Sequence, residues 1–439
     1  MASFSQREEA ISIERLEAPE PAPPYSIYPV RQKKLYAWAA SLAAFSSPVS
    51  SSIYYPALTV LASDLHTSIG NINLTITTFM VTPSLIHKIF VDLYKICQAV
   101  APTFVGGFSD RWGRRPAVIA CFLVFVAANT GLALQTSYPA LLVLRMVQSS
   151  GSSGTTSISS GLVSDVATRA ERGSYIGLAA LGSSLGPTIG PLIGGLLVHY
   201  KGWRSIFWFL DIYAGIMLLV FLLLIPETCR NIVGNGSVPP QKWNFSLISY
   251  LQQRRLRRKH ISPSNATISN KRRVGILASL PIICSKESFL LLIYMGIMYA
   301  GYAIIIASLP TQLASTFHYN SIQVGLCYIP LGMGSIVARQ VTGRLIDWNF
   351  RRHGKKLGIM ILKSQQTNID DFPAERARLE VAFPLAYLAC AVMVPYGWIM
   401  HLEKPPLAAA LILLFLTSFT VSGCMQVCLF LFAPDLVVF

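Results

Sequence analysis

The chain has 439 residues, 53% hydrophobic and 13% charged, with a mean hydropathy of +0.50 and a formal charge of +16. A soluble domain of this size needs far more polar surface, so the apolar residues are expected to face lipid. The apolar runs are continuous rather than alternating, which excludes a membrane barrel and points to spanning helices of about 20 residues each.

Residues 1–35 carry Glu8, Glu9, Glu14, Glu17 and Glu20 and a proline-rich stretch over Pro21–Pro29. They lack a basic start followed by an apolar core, so they are not a signal peptide and read as a disordered cytoplasmic tail. Six candidate spans follow, near 36–62, 72–108, 116–136, 138–164, 173–200 and 204–226, making a six-helix bundle over 36–226. A polar, basic segment over 227–286 comes next. Four more spans, near 287–313, 321–346, 382–402 and 406–432, make a partial bundle over 287–439. The eight cysteines are scattered with no CxxC pair, so neither a disulfide framework nor a metal site is expected.

The positive charge follows topology. Lys and Arg crowd the tail before residue 36, the turn at 111–115, Arg169 and Arg172, and the segments 230–286 and 344–378, whereas the loops near 63–71, 135–140 and 312–320 carry none. That asymmetry places the N-terminus in the cytoplasm and removes nucleic acid as a partner. The runs Arg254–Lys259 and Lys271–Arg273 suit a linker lying on anionic head groups, with a regulatory or sorting role left open. Asn235, Asn244 and Asn265 each begin a glycosylation triplet, but this topology puts them on the wrong side of the membrane.

Between spans 2 and 3 lies Gly106-Gly107-Phe108-Ser109-Asp110-Arg111-Trp112-Gly113-Arg114-Arg115-Pro116, a charged turn wedged between apolar runs. Its glycines suit close helix packing. Asp110 suits capping of a neighbouring helix N-terminus. A similar order, Gly343, Asp347 and Arg351-Arg352, recurs at the equivalent place in the second half. The turn resembles the signature turn after helix 2 of major facilitator superfamily transporters. By that resemblance Gly107, Asp110, Arg111, Arg114 and Arg115 are conformational-switch residues.

Span 4 holds Arg145-Met146-Val147-Gln148-Ser149-Ser150-Gly151. An arginine in an apolar helix faces a partner or a wet cavity; the alternative is a side chain reaching the outer interface near Tyr138. The segment resembles the family's RxxQGxG motif, with Ser149 in place of the first glycine, which implies that Arg145 takes part in proton coupling. In span 5, Gly182, Gly186, Pro187, Gly190, Pro191, Gly194 and Gly195 allow bending and close contact. They resemble the GxxxGPxxGG signature of antiporters and imply a hinge.

Asp211 is the acid well inside an apolar run of the first half, suited to bind a proton or a cationic compound, or else to pair with Arg204. Asp165 reads as a cap or as a partner of Arg169 and Arg172. Tyr54, Tyr55 and Asn73 are candidates for lining a substrate cavity, where aromatic faces attract organic cations, although the tyrosines also suit interfacial anchors. With Pro226-Glu227-Thr228 closing span 6, the first half resembles the fungal drug:proton antiporters of the twelve-span type.

Two features depart from that pattern. Span 2 would cover about 37 residues, near 55 Å, against a hydrocarbon core of about 30 Å. The excess, 81–97, places Pro83, His87, Lys88, Asp92 and Lys95 at lipid depth. Its ends suit the codons of a retained intron, the alternative being a genuine interfacial insertion. The chain also stops at Phe439, where the resemblance expects two more helices.

The expected fold is therefore an all-α membrane protein with the major facilitator fold: two pseudo-symmetric helical bundles, the second incomplete. The implied function is proton-coupled export of small organic molecules or drugs, with small-molecule substrate, protons and the lipid bilayer as partners. No enzyme activity and no cofactor are expected, and no phosphate-cradling glycine loop argues for ATP. The resemblance implies a monomer in the plasma membrane, or alternatively the vacuolar membrane. Rival readings are a facilitator-like chain that inserts without transporting, and a proton-coupled nutrient symporter.

Overall fold

The computed structural model describes residues 26–68, 70–72, 105–167, 172–236, 238, 240, 241, 244–246, 250, 286–356, 374–402 and 406–437. The insertion over 81–97, Asn73, most of span 2 and most of the linker lie outside these residues. Every long apolar run that is described folds as a helix, which satisfies its backbone groups internally where no water can. In chain order these are α1 (Val30–Ser52), a 3₁₀ turn (Tyr55–Ala57), α2 (Leu58–Asp64), α3 (Arg114–Leu134), α4 (Tyr138–Val166), α5 (Arg172–Lys201) and α6 (Arg204–Leu223). The short α7 (Arg230–Val233) follows, then α8 (Lys286–Phe317), α9 (Ser321–Leu326), α10 (Ile329–Lys356), α11 (Ala374–Met400) and α12 (Leu407–Val437). Residues 105–112 are helical as well, and no strand occurs among the described residues.

Seven of these helices are long and apolar enough to cross a membrane. α1 and α4, rich in Ala, Ser, Gly and Thr, fall outside that set, and these small residues make up much of their buried faces. Helix α1 begins at Val30, six residues ahead of the apolar run at 36, because hydropathy marks where lipid begins rather than where a helix does. Pro29, extended at ψ 157°, precedes it. At the other end Pro56 cannot donate to a continuing helix, and the chain tightens into the 3₁₀ turn before α2. The bend expected at Pro187 and Pro191 does not divide α5, which runs unbroken for 30 residues.

The first bundle is built on α1. Helix α5 packs along it, α4 lies against both α1 and α3, and α6 covers α3. In the second bundle α12 is central, against α10, α11 and α8. The bundles meet where α5 touches α9 and α10 and where the 3₁₀ turn touches α9.

The glycines of α5 explain the tightest of these contacts. A Cβ on Gly182 would meet the Ser41 carbonyl oxygen, one on Gly186 the Pro48 side chain, one on Gly190 the Ser52 hydroxyl and one on Gly194 the Ile53 carbonyl oxygen. Spaced one turn apart, the four form a single contact stripe against α1. Two hydrogen bonds fix its register: Gly182 N donates to Ser41 Oγ (2.9 Å) and Ser52 Oγ donates to Gly186 O (2.9 Å). Gly195 faces the opposite way, against the Ser321 carbonyl oxygen of the second bundle.

Gly182→Val must push α1 off α5 and should destabilise the chain by about 3 kcal/mol, at the upper end for overpacking. Gly177→Ala, whose added methyl meets nothing within 4 Å, should leave stability unchanged or slightly raised. Thermal unfolding of the two variants in detergent checks the contrast; equal melting temperatures would remove the stripe as a packing determinant.

Candidate functional site

The charged turn between residues 105–112 and α3 organises one end of the first bundle, termed here the basic end. Gly113 breaks the two helices apart at φ 115°, a conformation that favours glycine, and a Cβ there would run into the Glu227 carboxylate. That carboxylate caps α3. Its Oε1 accepts from the backbone N–H of Arg114 (2.9 Å), Thr228 (3.0 Å) and Cys229 (2.9 Å). Its Oε2 accepts from Arg115 N (3.3 Å) and Asn244 Nδ2 (2.8 Å). The orphan donors and positive dipole end of α3 are thus met by an acid from beyond α6.

The reverse contact caps α6. Arg115 donates through Nε to Phe221 O (3.0 Å) and through Nη2 to Leu222 O (2.7 Å), two of the last carbonyls of α6. Its Nη1 donates to Asn244 Oδ1 (2.9 Å). Arg114 ties in α4: Nε meets Asp165 Oδ2 at 2.9 Å, and Nη1 meets Asp110 Oδ1 at 2.7 Å and Ser109 Oγ at 2.6 Å. Arg230 Nε adds a bond to Asp165 O (2.9 Å).

Two expectations change here, those for Asp110 and Gly106. Asp110 caps no helix among the described residues; its side chain is 56% exposed and pairs with Arg114 one turn on. Glu227 takes the capping position, because the non-helical stretch around Pro226 swings its carboxylate beneath α3. Asp165 binds Arg114, while Arg169 lies outside the described residues. Gly106 shows no close packing, since a Cβ there meets nothing within 4 Å; Gly107 lies in the same helical stretch and Arg111 is exposed beside it. Two groups beneath the turn register its dryness. Burial, then Asp165, push the Cys229 thiol up to about 12, and burial, then Glu227, push the Tyr28 hydroxyl up to about 12.

Further along α4, Arg145 is 1% exposed and does not reach an interface. Its guanidinium lies 3.7 Å from the centre of the Tyr54 ring and 5.6 Å from that of Phe207. Nη1 donates to Gln148 Oε1 (2.7 Å) and Ser50 O (3.3 Å), and Gln148 Nε2 donates to Asn129 Oδ1 (2.6 Å). The RxxQ spacing thus places both side chains in one buried network. Tyr54 and Tyr55, expected as cavity lining for organic cations, are 1% and 2% exposed. Tyr54 already offers its face to Arg145, and Tyr55 stacks on Tyr328 of the second bundle with ring centres 5.7 Å apart and planes at 5°. Asp211 accepts from Thr130 Oγ1 (3.1 Å), next to Asn129 on α3. Arg204 instead covers the Trp203 ring and donates to Gln135 O, so the expected Asp211–Arg204 pair does not form.

The seam between the bundles is shut at the end away from the basic turn. Beyond the Tyr55–Tyr328 stack, a Cβ on Gly325 would lie 2.6 Å from Pro191 O, and one on Gly332 would strike the Thr188 side chain. Leu181 and Gly177, seven and eleven residues before Thr188, share its helix face. Leu181 is exposed and Gly177 has no neighbour within 4 Å of its Cβ position. Among the described residues, the α5 face that meets α9 and α10 at the far end shows no such contact at these two positions towards the basic end.

Glu227→Ala would strand the backbone donors of Arg114, Arg115, Thr228 and Cys229 and should cost about 3 kcal/mol, whereas Asp110→Asn, at an exposed pair, should cost under about 1 kcal/mol. Maleimide should label Cys229 slowly in the unaltered chain and quickly in Glu227→Ala. Equal labelling rates would show that the capping carboxylate does not seal the turn.

A Major Facilitator Superfamily profile matches residues 40–437. The chain is 44% identical over 407 residues to the MFS-type transporter phiD of a fungal species (strain ATCC 74256), covering 92% of this chain and 59% of that protein. It is 44% identical over 388 residues to the MFS-type transporter clz9 of Cochliobolus lunatus, covering 88% of this chain and 40% of that one. The chain thus spans about half the length of these two relatives. The multidrug transporter QDR2 of Candida glabrata is 32% identical over 413 residues, covering 89% of this chain and 68% of that protein. Among solved structures, a bacterial homologue of the lysosomal transporter Spinster, in an inward-facing and unoccupied conformation, superposes with a TM-score of 0.58 at 15% identity, over 93% of this chain and 76% of that one.

Proposed function

The chain belongs to the major facilitator superfamily, and from that premise we propose that it exports small organic molecules or drugs in exchange for protons by alternating access. The observation that carries this reading is the one-sided seam among the described residues, joined at the far end through Tyr55, Thr188, Pro191 and Gly195 and without such a contact at Leu181 and Gly177. Two bundles that meet at one end can rock about that contact. The basic turn faces the cytoplasm in this reading, by the charge asymmetry, and the membrane is the plasma membrane. A carrier of this kind alters no covalent bond in its cargo.

Roles follow from position. The cross-capped turn with Gly107, Asp110, Arg111, Arg114 and Arg115 biases the rocking motion. Arg145 and Asp211 couple it to protons from two neighbouring residues of α3, Asn129 and Thr130. Gly182, Gly186, Pro187, Gly190, Gly194 and Gly195 let α5 bear on α1 and on the second bundle at once. The choice of drugs as cargo draws on the Candida glabrata relative, which is named as a multidrug transporter.

Proteoliposomes holding the full chain, loaded with a pH dye and challenged with quinidine, a polyamine or a weak aromatic acid, test the proposal. Opposed movement of compound and protons is the expected result. Movement of both in the same direction would make the chain a symporter, and no movement with any of the three would make it an inserted protein that does not cycle. Arg145→Lys keeps the charge but loses the planar fork and the stack on Tyr54, and should lower exchange at least about tenfold, with some loss of thermal stability. Asp211→Asn should abolish proton movement while leaving downhill efflux; intact proton movement would remove Asp211 from the coupling path.

A further inference from the structure

The sequence presents 227–286 as a tether, yet its beginning is built into the first bundle. Asn244 is 1% exposed, and its carboxamide sits between the two capping groups. Nδ2 donates to Glu227 Oε2 at 2.8 Å while Oδ1 accepts from Arg115 Nη1 at 2.9 Å. The neighbouring Phe245 carbonyl accepts from Arg115 Nη2 (3.4 Å), and Ser246 is buried. A single planar head must donate to an acid and accept from a guanidinium. A carboxylate in its place would face Glu227, and an alanine would leave both partners short of a bond.

We propose that Asn244 is a positioning residue that fastens the linker to the switch turn, so that residues 227–236 and 244–246 travel with the first bundle and the linker sets the orientation of Arg115 and Glu227. The fastening stands on the geometry alone; its effect on flux rests on the transport reading above. The atom that a glycan would occupy in the Asn244-Phe245-Ser246 triplet is the one bound to Glu227, so in the folded chain this triplet is a structural clasp.

Three variants of the full chain in lipid vesicles test this: Asn244→Ala, Asn244→Asp, and the exchange pair Glu227→Gln with Asn244→Asp. In the pair, the amide oxygen introduced at position 227 can still accept from the N–H of Arg114, Thr228 and Cys229, while the long bond from the Arg115 N–H (3.3 Å) loses its acceptor. Its amide nitrogen donates to the carboxylate introduced at position 244, reversing the polarity of the lost bond. Hydrogen–deuterium exchange over 240–246 and 113–116 is read alongside quinidine-driven proton exchange. Asn244→Ala and Asn244→Asp should each raise deuterium uptake in both segments. They should lower the maximal rate about tenfold, with half-saturation by quinidine within about twofold, as expected for loss of bonds to charged groups without loss of binding. The exchange pair should recover most of both signals. Unchanged deuterium uptake in Asn244→Ala, or an exchange pair no better than Asn244→Asp, would overturn the proposal. If the unaltered chain moves no protons with quinidine, transport of that compound fails and the deuterium data still decide the fastening.

Discussion

The structure depends on two helix ends that terminate one another. Helix α3 begins where Glu227 accepts its first N–H groups, and α6 ends where Arg115, the second residue of α3, donates to its last carbonyls. Neither end could lie in a dry environment without such partners, because unmet backbone groups there cost several kcal/mol each. The exchange also fixes geometry. An acid after α6 and a base at the start of α3 can both reach only if the two ends lie side by side, so the pair sets how α3 and α6 align. Arg114 extends the same constraint to α4 through Asp165. Three helices are thus referenced to one turn of chain, and Gly113 is the point where that turn has to be a glycine.

A second constraint sits deeper in the same bundle. A guanidinium held at 1% exposure would be prohibitive without compensation, and Arg145 receives it from the Tyr54 ring, from Gln148 and from the Ser50 carbonyl. The aromatic face suited to a cationic cargo is therefore part of the arginine's own environment. Gln148 passes the network on to Asn129, and the next residue of α3, Thr130, holds Asp211. Charge in the first bundle is consequently arranged around α3, whose start is the capped end described above.

Much of this was legible in the chain. Helical class, the two bundles and the charged turn follow from run length, the polar break after residue 227 and the arginines at 111–115. The i, i+3 spacing of Arg145 and Gln148 also foretold that they share a face. What could not be read was which group answers which. Asp110 lies nearest in sequence to the turn and invited the capping role, but Glu227, more than a hundred residues on, holds it. Asp211 and Arg204 are seven residues apart on one face, yet each finds a partner on a different element. Asn244 carried only a triplet pattern, which says nothing of burial. Spacing along one helix is encoded locally, whereas contacts between helices depend on packing that no local pattern specifies. The glycines of α5 fall between these cases: their periodicity announced close contact, and only the structure distinguishes the four that meet α1 from Gly195, which meets the second bundle.

The make-up of the seam bears on how it could open. Its closest approaches are backbone against side chain or backbone at Gly195, Gly325 and Gly332, together with one aromatic stack. No ion pair crosses it among the described residues. Contacts of this kind are short-ranged: an aromatic pair contributes about 0.5–1.5 kcal/mol beyond its buried area, and a close contact loses about a quarter to a half of its attraction within an ångström of separation. A seam of such parts closes to one well-defined position. An interface sealed by buried charges would instead meet a large desolvation penalty each time it closed. The strong polar bonds lie within the first bundle and the weak, geometric ones lie between the bundles, a distribution that would suit the proposed rocking motion.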